Sequence, residues 1–126
     1  MDVVPPLAGL SLTGHDFTIA EWSDGGESSE ARPIAPLHLH RADDEAWFVL
    51  EGALGFARGD ERLLARAGAG VIVPRGVPHT YWNATDAETR YLIVMPPRIA
   101  ALIDALHAGY DDLGELFARF DSELCS

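Results

Sequence analysis

The 126-residue chain contains no lysine: all nine basic residues are arginines, set against twenty acidic ones, for a formal net charge of -11. A surface of that sign with scattered cations offers no basic patch able to follow a phosphate backbone, so no nucleic-acid partner is expected. Cysteine is nearly absent. Cys125 stands alone next to the C-terminus, with no partner for an internal disulfide and no basic neighbour in sequence to activate its thiol. No stretch approaches the ~18 consecutive apolar residues of a membrane span. The opening MDVVPPLAGLSL lacks a positive leader, so a soluble, cytoplasmic protein with no membrane partner is expected. Repeats and low-complexity tracts are missing too, and the length suits one domain, residues 1–126, with one modest core.

What is present is an unusual placing of histidine. Residues 38–52 read HLHRADDEAWFVLEG, with His38 and His40 one residue apart and Glu45 five residues after the second. Side chains alternate along a strand, so His38 and His40 share a face. The polar turn Arg41-Ala42-Asp43-Asp44 then reverses the chain and lets Glu45 open the next strand beside them. Pro74-Arg75-Gly76 is a second turn, delivering His79 at the start of another strand-like run. Three imidazoles and a carboxylate converging in this way suit a divalent first-row transition metal rather than calcium or magnesium, which prefer oxygen shells.

The spacing His38-x-His40-x4-Glu45-x6-Gly52 resembles the first motif of the cupin family, and Gly68-x5-Pro74-x-Gly76-x2-His79-x3-Asn83 resembles the second. The spacer of fifteen residues between Gly52 and Gly68 is similar to that of compact single-domain microbial cupins. One departure is Arg32, which stands where the first motif usually opens with glycine. The resemblance implies one divalent metal (Fe, Mn, Ni, Cu, Co or Zn) held by His38, His40, Glu45 and His79. It also implies an enzyme similar to quercetinase-like dioxygenases, acting on a small aromatic or diketone-like substrate. The alternatives are a redox-neutral cyclase or isomerase of polyketide type, using the metal as Lewis acid, and a non-catalytic ligand-binding module. Glu45 is the candidate catalytic base as well as a ligand. Asn83 and the motif glycines read as structural, and Asp43 and Asp44 as solvent-facing turn residues, with the alternative that either orients a ligand histidine.

Many short strands punctuated by Gly/Pro turns predict an all-β fold, which the resemblance narrows to a small antiparallel jelly-roll barrel over residues 15–95. An arm, residues 1–14, precedes it. Gly59-Asp60 predicts a hairpin. After Pro96-Pro97 the period changes to 3.6, with Ile99, Leu102, Ile103 and Leu106 on one stripe and Leu113, Leu116, Phe117 and Phe120 on a second. Two C-terminal helices are therefore expected over residues 97–124, at least one near the barrel mouth, with Asp112-x-x-Glu115 as a capping box. Deleting residues 110–126 is expected to alter substrate range and to leave the metal site intact. Alternation places Trp47 and Val49 with Glu45 and Tyr81 with His79, so Trp47, Val49, Phe56 and Tyr81 are the expected pocket lining. Leu54 is a further candidate, the alternative for Leu54 and Phe56 being that they simply fill the barrel. His15 and His107 belong to no constellation and read as surface residues. The arm and the outward Phe48, Leu50 and Trp82 lead to an expected homodimer.

Overall fold

The computed structural model describes residues 11–126. Its elements in chain order are β1 (Ser11–Thr13), β2 (Thr18–Asp24), β3 (Ala35–His40), β4 (Glu45–Glu51), β5 (Ala53–Arg58), β6 (Glu61–Arg66), β7 (Gly70–Val73), β8 (His79–Asn83), β9 (Thr89–Met95), α1 (Pro97–Ala108), α2 (Leu113–Arg119) and β10 (Ser122–Leu124). They form two antiparallel five-stranded sheets, β1-β2-β9-β4-β7 and β10-β3-β8-β5-β6. This is the all-β jelly roll expected from the turn pattern. The predicted hairpin is present, with Arg58 opposite Glu61 and Gly59 at φ 57°, the left-handed value its turn needs.

The inner faces of the two sheets bury alternate residues of β4, β8 and β9 and all but the last residue of β5, with Val49, Leu54 and Phe56 at 0 % exposure in the middle. Gly52 permits the sharp exit from β4. Its φ is 85°, and a Cβ there would run into Thr89, whose hydroxyl accepts a hydrogen bond from Ala53 N across the same gap.

Several expectations are corrected. Residues 1–10 of the expected arm lie outside the described residues, whereas Ser11–Thr13 pairs with β2 as a sheet edge. The first core strand is Thr18–Asp24 rather than a run from His15, because His15 and Asp16 are exposed and bond to each other. The C-terminal stretch is not helical to residue 124. Helix α2 ends at Arg119, Asp121 takes a left-handed φ of 53°, and Ser122–Leu124 pairs with β3 as a tenth strand. Three residues are too few for periodicity to reveal such a strand. The capping box forms by half: Asp112 accepts from Glu115 N at 3.0 Å, but the Glu115 side chain turns to Arg119 at 2.8 Å instead of reaching back.

Proline ends the barrel. Pro96 and Pro97 lack the N–H that would extend the sheet, and Pro97 suits the first turn of α1. The α1 stripe buries Ile99 in the barrel core, while Leu102 packs with Leu116 and Phe117 of α2. Each such fully buried aliphatic side chain contributes about 1.5–3 kcal/mol. Leu113 stays 38 % exposed, so the second stripe is narrower than its spacing implied.

Candidate metal centre

His38 stands directly opposite His79 in the β3–β8 register, and between Ala35 and His38 that register shifts by a bulge. Pro36 lies in the bulge, where its missing N–H costs no ladder bond, and its carbonyl accepts from His38 Nδ1 at 2.6 Å. Val77 O does the same for His79 Nδ1 at 2.9 Å. A carbonyl only accepts, so both rings carry their proton on Nδ1 and turn a bare Nε2 lone pair inward. Gly76 N donates to His40 O at 2.7 Å, tying the turn before His79 to β3.

Glu45 arrives from the other sheet. The turn after His40 does not fold β4 back beside β3, because the two strands belong to different sheets. The ligand atoms therefore converge across the sandwich: His38, His40, Glu45 and His79 are all buried, with one potential ligand atom of each within 4.8 Å of the rest. Glu45 Oε1 lies 3.1 Å from His40 Nε2 and 3.5 Å from His79 Nε2. His79 Nε2 is buried without a hydrogen-bond partner. A lone pair facing a carboxylate in this way is repulsive unless a cation sits between them, so the donor set fits a divalent transition metal and could hold one.

Burial, and then the neighbouring His79, pushes the His38 imidazole down from its ordinary 6.5 to about 3. Burial acts to raise the Glu45 carboxyl, but chiefly the hydrogen bond with His40 outweighs it and holds the group at about 2. Deprotonated ligands are what a metal requires.

The cluster opens into a cavity of about 310 Å³. Trp47 and Tyr81 line it. Val49 and Phe56 do not: both are fully buried, and Phe56 stacks behind Tyr81 at 5.7 Å and meets the Trp47 ring edge-on at 5.3 Å, filling the barrel beneath the cavity floor. Leu54 is likewise core. The wall also includes Trp22, Tyr91 and Ile93 of one sheet, the stretch from Ile34 to Pro36 at the start of β3, and Ile99, Leu102, Ile103, Leu106 and Phe117 of the helices, so α1 borders the mouth. Tyr81 and Tyr91 place their hydroxyls 3.2 Å apart, and burial raises both, Tyr91 to about 12. Among the described residues lining the cavity, Glu45 is the one carboxylate and no arginine contributes.

Other sequence assignments sort differently. Asp43 does not face water: it is buried and accepts a two-pronged bond from Arg98 of α1 at 2.8 and 2.9 Å. The partner comes from the far end of the chain, so nothing local announces it. Asp44 is exposed and pairs with Arg75. Asn83 is structural as expected, its amide bridging Asp24 O, Ala87 O, Thr85 and Thr89. His107 is exposed but sits at the cavity mouth, edge-on to Trp22 at 4.7 Å, whereas His15 lies far from any cluster. Ser122, which motif reading missed entirely, reaches His40 Nδ1 at 2.7 Å. Cys125 is held above its ordinary range by partial burial and the Glu123 charge, which suits an inert thiol.

Comparison with known proteins agrees with this geometry. The cupin domain family matches residues 27–95, which carry all four candidate ligands. A germin-like protein, subfamily T member 2, from Arabidopsis thaliana is 30 % identical over 89 residues, covering 67 % of this chain and 37 % of its own. Quercetin 2,3-dioxygenase from Bacillus subtilis is 28 % identical over 109 residues, 86 % of this chain and 31 % of its own. The chain thus spans about a third of the length of these curated relatives. A cupin-2 domain protein from Shewanella frigidimarina superposes with a TM-score of 0.54 at 26 % identity, over 68 % of this chain and 74 % of that one. The chain belongs to the cupin family. No helix among the described residues is long and apolar enough to cross a membrane.

Proposed function

We propose that this cupin is a metal-dependent enzyme holding one divalent transition metal on His38, His40, Glu45 and His79, and that it acts as a dioxygenase on a small, neutral, flat organic substrate. The observation that carries the reading is the convergence of these four buried ligand atoms within 4.8 Å, three of whose residues, His38, His40 and Glu45, line an aromatic cavity. Bound there, the metal supplies a Lewis-acidic, redox-capable centre. The protein's own part is to orient the substrate and exclude water. Trp47, Tyr81 and Trp22 line the cavity with aromatic rings, α1 borders the mouth, and a wall without arginine offers a phosphate or carboxylate no permanently cationic side-chain partner beyond the metal itself. Likeness to the quercetin dioxygenase supports the aromatic and diketone-like classes. Glu45, held near 2, takes up a proton poorly. Its service as a base is therefore secondary to its service as a ligand.

A second reading, a redox-neutral cyclase or isomerase, draws support from the Tyr81–Tyr91 pair. Of the two neutral phenols sharing a hydrogen bond at the cavity wall, one keeps its O–H free to donate a hydrogen bond to a carbonyl oxygen. A binding module without turnover is the third. Metal analysis of protein purified without added metal, then oxygen uptake with flavonols, diketones and phenolic polyketides, separates the three. Substrate-dependent oxygen uptake supports the dioxygenase, conversion without oxygen the cyclase, and binding without conversion the module. Metal-free protein that takes up no added metal overturns all metal-dependent readings.

A further inference from the structure

We infer that Ser122 is a positioning residue for His40, and that its hydroxyl serves both tautomers of that ring: one when the centre is metal-free, the other when it is loaded. The inference rests on the metal reading above. Ser122 is 1 % exposed and is the direct cross-strand partner of His40 in the β10–β3 register. Its Oγ lies 2.7 Å from His40 Nδ1 and 3.1 Å from Phe120 O.

His38 and His79 rest on carbonyls, which accept and cannot donate, so their Nδ1–H tautomer is locked. His40 alone among the three rests on a group that can do either. Its Nε2 is also the one within hydrogen-bond distance of Glu45, at 3.1 Å. In the metal-free protein an Nε2–H donates to Glu45, satisfying a buried carboxylate, and Nδ1 accepts the Ser122 hydroxyl proton. When Nε2 is needed as a ligand, the ring proton resides on Nδ1 and donates to Ser122 Oγ, whose own proton turns to Phe120 O. One ring proton changes nitrogen and one hydroxyl rotates, with no atom gained or lost. Alanine at 122 would leave Nδ1 buried and unpaired in either state, whereas threonine keeps the hydroxyl. A ligand's orienting partner sets metal affinity by about 10- to 100-fold.

The test combines ring-nitrogen NMR of His40 with zinc titration against a chromogenic chelator, in wild type, Ser122→Ala and Ser122→Thr. The expected results are an Nε2–H tautomer in metal-free wild type, an Nδ1–H tautomer with zinc, zinc affinity about 10- to 100-fold weaker in Ser122→Ala, and recovery in Ser122→Thr. An Nδ1–H tautomer in the metal-free wild type overturns the inference, and this measurement needs no variant to fold. So does zinc binding by Ser122→Ala within twofold of wild type. Wild type that binds no zinc overturns the metal reading itself, a result distinct from either.

Discussion

His38 and His79 owe their readiness to bind a cation to two backbone carbonyls, Pro36 O and Val77 O, which hold the ring protons outward. Removing either ring takes away a nitrogen that no neighbour replaces. His38→Ala and His79→Ala are each expected to lower metal content sharply with the fold intact, as read by elemental analysis and circular dichroism. Stoichiometric metal in the double variant would refute the ligand set. Protonation makes a second prediction. His38 titrates near 6.5 unfolded and near 3 folded, so above 6.5 its contribution to stability is fully present. As pH falls from 6.5 towards 3 the unfolded chain binds a proton that the folded one refuses. Chelator-treated protein should therefore lose stability across that window, by up to about 1.4 kcal/mol per pH unit for one proton. Glu45, lowered from 4.5 to about 2, adds a loss of the same sign below 4.5. Urea melts of wild type and His38→Ala at a series of pH values check this, since the variant should lack the upper part of the slope.

Helix α1 is the element that turns a cluster of candidate ligands into a cavity. Its first turn is fastened by Arg98 to Asp43, in the turn between His40 and Glu45. Arg98→Leu would strand a buried carboxylate beside the ligands at a cost of about 1–3 kcal/mol. Thermal melting should show a lower midpoint for Arg98→Leu, with much of the loss recovered when Asp43→Asn is added. An unchanged midpoint would mean that the pair contributes nothing. Further along the helix, Leu106 lines the mouth. Leu106→Trp should raise KM for bulky substrates at unchanged metal content, and equal kinetics across substrate sizes would show that α1 does not limit access. The last strand narrows an expectation drawn from the helical pattern. Because β10 pairs with β3 and Ser122 touches His40, a chain truncated at residue 110 would lose part of the metal centre's support along with the roof.

At the scale of the molecule, an acidic chain carries an apolar row across one whole sheet. Leu12, Ile19, Val94, Ala46 and Ile72 are consecutive cross-strand neighbours on its outer face, with Leu12 48 % and Ile72 56 % exposed. Phe48 shares that face and Leu50 lies at a register irregularity of the same sheet, whereas Trp82 belongs to the other sheet, so the three residues expected to form one patch do not share a sheet. The homodimer proposed from sequence is then best tested on the β1-β2-β9-β4-β7 face. Light scattering should report twice the 13.6 kDa chain mass, reduced towards one chain by Ile72→Glu. A wild-type particle of one chain mass at micromolar concentration would end the proposal.

Sequence by itself determined the strands of the barrel from β2 to β9, the Gly59-Asp60 hairpin, the presence of two helices and four ligand candidates, because each is written in local terms: alternation, turn residues, a change of period, histidines at a short spacing. Tertiary structure alone decided that the ligands meet across two sheets, that Asp43 is sealed by Arg98, that Val49 and Phe56 fill the barrel rather than line the cavity, and that Ser122 backs His40. Alternation says which face a side chain occupies but not how deep in the sandwich it lies. Fifty-five residues separate Asp43 from Arg98 and eighty-two separate His40 from Ser122. Contacts over such separations leave no periodic trace in the chain, since they are selected by the packing of whole elements rather than by the residues beside them.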